Sequence, residues 1–454
     1  MRKLIILTFA ALLLAGCKGF LDVQPQGLVL PKTDEEFAAI LHNRIKDIEG
    51  GNDEYVIGNR ETLVRLEGIA DNLDANIKPG SLPAYVGETI NSMQGIKYPD
   101  YWEIVRDCNI IIGNLKDRSG EEAGKITAAA YAMKGFLYFQ MMREYCDPWS
   151  DGEADVQLGL PLVDAFEIDA LPIRASLKLT ADYTLAQLDH ALALHPTDPL
   201  YFFTEWGIKA YKAKLLFWTQ QWNEAAALCQ DILSNSGYTL TEAAQYAAVI
   251  NADGAPKGEV ILRSHINDAS ELAWYFSYLR GYLSSRPMSK ALYDLYEPGD
   301  VRKAASIDSK RMNVKTAECK VRLSEIVLML AESYAYLNQT EQALSQLNLL
   351  RSKRIPGVAD YTAATLPAVR EDNRIKEDAR GNALTPLLQA ILDERQKELY
   401  MEGERWFDLK RCGRPEWWVI SNGLKYTTKK YLYTAPINKN DILVNPEMKQ
   451  NTGY

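Results

Sequence analysis

The sequence predicts an all-α fold of helical hairpins, with irregular insertions that carry the ligand site. Two stretches each place a pair of alanines twelve residues apart around a short polar turn. The pairs are Ala213 with Ala225 and Ala331 with Ala343. Small residues at this spacing let antiparallel helices approach closely, as in tetratricopeptide repeats. We expect such hairpins at about 206–233 and 325–351, with two unrelated hairpins as the alternative.

The chain opens with a segment typical of an exported lipoprotein. Basic residues precede an apolar run that ends in Leu-Ala-Gly before Cys17. The run is too short to span a bilayer, and its basic start and small closing residues indicate a signal peptide. We expect residues 1–16 to be removed, Cys17 to be acylated and residues 17–32 to form a lipidated tether. Three acyl chains would hold the protein at a membrane.

The remaining chain, 33–454, is expected to form one helical domain. Thr33 and Glu36 match a capping box at the start of the first helix. A strongly apolar helix is predicted over 126–145, followed by an irregular stretch over 146–174. We expect a third, interrupted hairpin across about 125–194, and the helix after Thr33 is a candidate for a fourth.

Less regular regions lie between the predicted hairpins and after the last helix. They cover about 52–98, 238–310, 355–383 and 412–454, and they are rich in glycine, proline, asparagine and aromatic residues. Long irregular insertions on a helical scaffold usually carry binding function. We therefore expect the ligand site here rather than on the hairpins.

A helix predicted to begin after Thr385 has charged residues on its apolar face. Its stripe of leucines continues to Trp406, and Arg395 and Glu402 fall on the same stripe. An unpaired charge on such a face would be very costly. We predict a buried ion-pair cluster that holds helices together, with an acid/base site as the less favoured alternative. Its members are Arg395, Glu398, Glu402, Arg405 and Asp408.

Composition and motifs exclude several classes of protein. The formal net charge of -9 and the absence of basic runs argue against nucleic-acid binding. The four histidines form no metal-ligand spacing, and the chain has no P-loop and no GxSxG motif. We expect no catalytic residues, no metal and no cofactor. Carboxylates are abundant, so a glycosidase pair, which is defined by distance in space, stays open.

The pattern ER..EL..EG.R..DL.R over 394–411 resembles the C-terminal signature of the SusD/RagB family. The last ten residues, from Asn445, resemble the family's NP…QN.GY terminus. Further matches run in the family's order from Cys17 onward. Members of this family are outer-membrane lipoproteins of Bacteroidetes that capture nutrients for a TonB-dependent transporter. The resemblance implies a SusC-like transporter partner, an outer-membrane location through the lipid anchor and exposure to the cell exterior.

Aromatic residues are the best lead to the ligand. Flat rings with a polar edge suit stacking on sugar rings, while amides and carboxylates bond the hydroxyls. The predicted ligand-binding residues are Asn72, Asp74, Tyr85, Trp274, Tyr275 and Tyr278. Core packing is the alternative for Trp274 and Tyr278, because residues 271–279 could form a helix.

Together these observations predict a surface lipoprotein that binds an oligosaccharide or polysaccharide and delivers it to the transporter. It is not expected to be an enzyme. Peptide capture, as in the RagB branch, is the second hypothesis within the same architecture. A surface-anchored glycoside hydrolase and a periplasmic repeat scaffold that binds only protein are the alternatives of other classes.

Overall fold

The computed structural model describes residues 31–74, 87–92, 97–165, 167, 169–251, 258–264, 285–421 and 423–454. Helices dominate these residues, which confirms the predicted fold class. The strands form two short antiparallel pairs. The predicted signal peptide and the acylated Cys17 lie outside the described residues.

The first helices form one side of the scaffold. Thr33 caps α1 as predicted, because its hydroxyl accepts from the Glu36 amide at 3.3 Å and the Glu36 carboxylate accepts from the Thr33 amide at 3.1 Å. Helix α1 packs against α3 and α4. The bounds are α1 Asp34–Glu49, α2 Arg60–Ile69, α3 Tyr98–Leu115 and α4 Glu121–Tyr145.

The interrupted third hairpin is present. Helix α5, Leu177–Ala193, packs along α4 after the irregular stretch that follows Tyr145. Gly135 allows the two helices to approach, since a Cβ there would lie 2.5 Å from Leu188 Cδ2. Thr180 fixes the returning chain by donating to the Ser176 carbonyl and accepting from the Leu160 amide.

The two repeat hairpins have the predicted geometry. They comprise α6 Glu205–Trp218 with α7 Trp222–Asn235, then α11 Leu323–Tyr336 with α12 Thr340–Arg354. All four spaced alanines are fully buried. Gln220 and Asn338, each seven residues after the first alanine of its pair, both have φ of 58°. The two hairpins therefore share the backbone conformation of their turns as well as the spacing of their alanines. Helix α7 packs on α11, so the two hairpins are stacked.

Short elements connect the hairpins. They are α8 Tyr246–Ile250, α9 Lys290–Tyr293 and α10 Val301–Ser306, with strands β1 Val260–Arg263 and β2 Lys320–Arg322. The two strands pair antiparallel with a bulge between Val260 and Leu262. Strand β2 leads directly into α11, which places Arg322 at the base of that helix.

The C-terminal elements pack on the second repeat hairpin and on the first helices. Helix α13, Pro386–Glu398, packs on α11 and α12, and α14, Arg405–Arg411, packs on α2. Strands β3, Trp417–Ser421, and β4, Leu424–Thr428, form a hairpin that precedes α15, Lys439–Val444.

The prediction of one continuous helix from Thr385 through Trp406 is wrong. The chain leaves the helix after Glu398 and turns through Met401 and Gly403, which have φ of 60° and 82°. A Cβ at Gly403 would lie 3.2 Å from Leu66 Cδ1, so this turn packs closely on α2. Glu402 therefore lies in a turn between two helices rather than on a helical stripe.

Candidate functional site

The charged residues of the C-terminal motif lie in the core and are paired. Glu398 accepts from three arginines: Arg322 Nη1 at 2.7 Å, Arg354 Nη2 at 3.0 Å and Arg302 Nη1 at 3.2 Å. The side chains of all four residues are fully buried. Burial opposes ionisation of Glu398, but the three guanidinium groups overcome it and hold its pKa well below the usual range.

Glu402 extends this cluster through the turn after α13. Its carboxylate accepts from Arg322 Nη2 and from Lys315 Nζ, at 2.8 and 2.7 Å. Both partners come from segments 80 or more residues earlier in the chain. Burial again opposes ionisation of Glu402, and Arg322 and Lys315 lower its pKa in spite of it.

Helix α14 contributes a second set of pairs. Arg395 Nε lies 3.2 Å from the Asp408 carboxylate, which Arg411 also contacts at 2.9 Å. Arg411 reaches Glu332 on α11, with Nη2 to Oε2 at 2.8 Å. Just before α14, Glu404 accepts from Arg143 and from Lys214 on α6. These pairs tie α14 to both repeat hairpins.

Arg405 connects the buried motif to the surface. It donates to Asp71 at 2.7 and 3.0 Å, and the same carboxylate accepts from Arg374 Nε at 3.1 Å. The Arg374 guanidinium lies 4.8 Å from the centre of the Trp417 ring. A chain of contacts therefore runs from the core at Arg405 to an aromatic ring on the β3–β4 hairpin.

The motif does not offer an acid/base site. A catalytic acid or base must reach a substrate atom through a cleft, whereas Arg395, Glu398, Glu402, Arg405 and Asp408 are all buried against partners of opposite charge. Removing one member would leave an uncompensated buried charge, at about 3–5 kcal/mol. The arrangement serves to hold distant segments together.

Two of the predicted ligand residues are described by the structure, and they lie in different surroundings. Asn72 is fully buried, where its amide donates to Glu67 at 2.8 Å and accepts from Gln396 at 3.0 Å. This position gives it a structural contact and no access to solvent. Asp74 is partly exposed and pairs with Arg311 at 2.8 Å. Tyr85, Trp274, Tyr275 and Tyr278 lie outside the described residues.

Arg374 lines an open polar cleft of about 500 Å³. The loop 371–377 forms one wall, and the segment 412–416 after α14, with Lys430, forms the other. Both walls come from regions where the sequence predicts the ligand site. Four carboxylates, an amide, a guanidinium and two amines line it, so it can offer both donors and acceptors to a polar ligand.

The β3–β4 hairpin places a tryptophan on each of its faces. Trp417 turns toward Arg374 at the edge of the cleft and packs edge-on against Tyr433. Trp418 points to the opposite face, where its side chain is 55% exposed and Lys425 Nζ lies 4.9 Å from its ring centre. Sequence reasoning missed both rings, although the Asn422-Gly423 dipeptide after them is a strong hairpin signal.

Close contacts hold the hairpin in place. The Gly87 amide donates to Thr428 Oγ1 at 3.3 Å, and a Cβ at Gly87 would lie 2.6 Å from the Thr427 amide nitrogen. Gly87 has φ of 55°, a conformation that side chains disfavour. The irregular region before α3 therefore supports the outer side of β4.

The described residues offer neither a metal centre nor a membrane span. Within them, histidine, cysteine and carboxylate side chains form no group of three or more placed to hold a metal ion. None of the helices in this part of the chain combines the length and the apolar character that a membrane crossing requires. The five cysteines described are buried free thiols.

Comparison with known proteins identifies the fold. Residues 301–454 match the model of the SusD family, and no curated protein matches the chain. A SusD superfamily protein from Bacteroides thetaiotaomicron VPI-5482 is 18% identical with a TM-score of 0.73, over 92% of this chain and 100% of that one. A SusD-like carbohydrate-binding protein from Bacteroides vulgatus ATCC 8482 is 18% identical with a TM-score of 0.67, over 92% and 98%.

A third solved structure is that of surface glycan-binding protein A from Bacteroides fluxus. It is 16% identical with a TM-score of 0.67, over 93% of this chain and all of the other. At such identities the likeness establishes the shared fold. Two of these relatives are a carbohydrate-binding protein and a glycan-binding protein.

Proposed function

We propose that this chain, which shares the SusD fold, binds a glycan at the cell surface and delivers it to a TonB-dependent, SusC-like transporter. The glycan lies in the cleft between the loop 371–377 and the segment 412–416. Cys17 carries the lipid anchor that keeps the protein on the outer membrane, facing the exterior. The protein acts by capture and release, without chemical change to the ligand.

The observation that carries the proposal is the chemistry of the cleft. Sugar recognition needs polar groups for the hydroxyls and an apolar ring for the flat face of the pyranose. Asp372, Glu416 and Arg374 supply acceptors and donors within one open cleft. Trp417 lies at its edge against Arg374. Carbohydrate binding in the structural relatives agrees with this chemistry.

The openness of the cleft suits capture and hand-over. Its two walls leave one side to solvent, so a glycan would bury only part of its surface there. Partial burial favours modest affinity and fast release, because binding strength depends on fully desolvated contacts. A transporter that must take over the ligand requires such release.

The Asp71 bridge prepares the cleft for binding. The side chain of Asp71 is 7% exposed and links Arg374 to Arg405 of the buried motif. An arginine that is already fixed loses less conformational freedom when a ligand binds. The core therefore contributes to recognition by fixing a side chain of the site.

Calorimetric titration of the chain from residue 18 onward tests the proposal. The ligands are oligosaccharides of laminarin, xylan, mannan and dextran, together with peptide digests. We expect saturable binding of at least one glycan without hydrolysis. Asp372→Ala and Trp417→Phe should weaken it, while Trp418→Ala, on the opposite face of the same hairpin, is the matched control.

The variants separate the cleft from other sites. Loss of binding in Trp418→Ala alone would move the site to the outer face of the hairpin. Loss in Tyr85→Ala or Trp274→Ala with the cleft variants unaffected would move it to the residues predicted from sequence. Glycan hydrolysis would replace capture with catalysis, and silence toward every glycan would contradict the proposal.

Peptide capture is the second candidate, and strand β3 favours it. Among the described residues, β3 pairs with β4 alone. An unpaired edge can accept an extended peptide as an additional strand, with main-chain hydrogen bonds providing affinity. Binding of peptide digests without glycan binding would support this candidate.

A further inference from the structure

We infer that the cleft selects neutral glycans and rejects acidic ones. This inference rests on the proposed glycan function and concerns the class of ligand taken by the same site. It follows from a difference in how far the positive and the negative side chains of the cleft are already paired within the protein. Most of the positive groups are held by other parts of the protein, whereas the carboxylates face solvent.

Two of the three cations that line the cleft make contacts within the protein. Arg374 donates to Asp71 at 3.1 Å and packs on Trp417. Lys376 donates to the carbonyl oxygens of Arg370 and Glu371 in its own loop. Within the described parts of the chain no ion pair is seen for Lys376 or Lys430, so these two are the lining cations whose charge is not already paired.

The cations around the cleft are engaged as well. Arg370 pairs with Asp393, with Nη2 to Oδ1 at 2.8 Å. Arg414 pairs with Asp147 at 3.0 Å, and Lys429 with Glu88 at 3.2 Å. Each of these contacts would have to break before the cation could bind a sulfate or a uronate.

The carboxylates of the cleft, in contrast, are exposed to solvent. Glu371, Asp372, Glu377 and Glu416 all line it and are exposed. The Asp372 side chain is 87% exposed, and its contact with Arg370 is 3.9 Å long. Glu416 accepts from the Lys430 amide at 3.0 Å. Four exposed carboxylates thus face two lysines that have no ion pair.

This balance discriminates by charge. A sugar hydroxyl donates to a carboxylate in a charge-assisted hydrogen bond, which is stronger than a neutral one. A uronate or sulfate ester offers no such donor and brings a further negative charge into a cleft lined by four others. Charges are screened only beyond about 8 Å at physiological ionic strength. Like charges placed together at an interface suppress binding. The formal net charge of -9 on the whole chain adds to the repulsion.

Paired titrations test the inference. Laminarin and mannan oligosaccharides, which have free primary alcohols, are each compared with their own form oxidised at those alcohols to carboxylates. Alginate and chondroitin sulfate oligosaccharides are added as acidic probes. We expect the acidic forms to bind at least about tenfold weaker, with the difference shrinking as salt rises from low to high concentration.

Two substitutions of the carboxylates sharpen the test. The double variant Asp372→Asn, Glu416→Gln should bind the oxidised forms more tightly than the unchanged protein does, because two negative charges leave the cleft. Glu121→Gln is the matched control, since Glu121 is exposed at the far end of the 25-residue helix α4 and its loss should change nothing.

The outcomes are distinct. Equal or tighter binding of acidic glycans in the cleft would overturn the inference and leave glycan capture standing. Discrimination that the double variant does not reduce would also overturn it, because the carboxylates would then not be its cause. Silence toward all neutral and acidic glycans would overturn glycan capture itself.

Discussion

The buried motif and the open cleft contain the same types of charged side chain, but in the motif they are buried and paired and in the cleft the carboxylates are exposed. In the core, Glu398 is enclosed by Arg302, Arg322 and Arg354, and its charge is neutralised at short range. In the cleft, Asp372 has most of its side chain in solvent. The comparison teaches that burial decides whether a carboxylate acts as a structural tie or as a recognition group. The sequence alone does not distinguish these two kinds of carboxylate, because burial is set by how distant segments pack.

The comparison predicts its largest effect at Glu398. Replacing Glu398 with glutamine removes the one carboxylate that Arg302, Arg322 and Arg354 share, and their remaining carboxylate partners do not replace it. We expect the free energy of unfolding to fall by about 3–5 kcal/mol. Urea denaturation followed by circular dichroism measures it. Glu416→Gln in the cleft is the control and should stay within about 0.5 kcal/mol. Equal losses in the two variants would break the comparison.

Acid should weaken the core through Glu394. Burial opposes ionisation of Glu394, but Arg302 and Lys397 lower its pKa to about 2. A folded pKa below the unfolded value near 4.3 gives stability that is present above that pH and is lost as the pH falls toward 2. The contribution is about 3 kcal/mol.

Denaturation at a series of acid pH values checks this expectation. Glu394→Gln carries no titratable group at this position, so it should flatten the fall in stability between about pH 4.3 and 2. Asp372→Asn is the exposed counterpart and should leave the fall unchanged. A steeper fall in Glu394→Gln would contradict the assignment.

Asp71 joins the two regions, so its removal should affect both. In Asp71→Asn the charges of Arg405 and Arg374 lose their shared partner, and we expect a loss of stability of about 2–4 kcal/mol. Glycan affinity should fall as well, because Arg374 is no longer fixed. A double-mutant cycle with Arg374→Gln measures the coupling, which should exceed about 0.5 kcal/mol. Additive effects would mean that the regions are independent.

The smallest effect on stability is expected in the cleft itself. Asp372→Ala should change the free energy of unfolding by no more than about 0.5 kcal/mol, while glycan affinity falls about tenfold through the lost charge-assisted hydrogen bonds. Titration and urea denaturation of the same preparation give both values. A large stability loss with unchanged affinity would assign Asp372 a structural role.

The sequence predicted those parts of the fold that depend on local spacing. Ala213 with Ala225, and Ala331 with Ala343, located both repeat hairpins, and Thr33 located the start of α1. The partners of the charged motif could not be found in this way, since Arg322 and Glu332 approach it only when distant segments pack. The break in the predicted helix had a local signal at Gly403, which the leucine stripe outweighed.

The candidate site was predictable by region and not by residue. The stretches 355–383 and 412–454 were expected to carry binding because of their composition, and the cleft lies between them. Trp417 and Trp418 stand in a β-hairpin, where side chains alternate between faces, so a search for helical stripes passes over them. Neither segment alone indicates that the loop 371–377 lies next to the segment 412–416 in the folded chain.

The two repeat hairpins differ in the sign of the charge that each carries at one equivalent position. Lys214 and Glu332 each follow the first alanine of the pair, so they occupy equivalent places in α6 and α11. Lys214 contacts Glu404, and Glu332 contacts Arg411. If the two hairpins exchanged places during folding, Lys214 would meet Arg411 and Glu332 would meet Glu404. Two hairpins with the same alanine spacing and turn backbone therefore have one arrangement in which these buried charges attract.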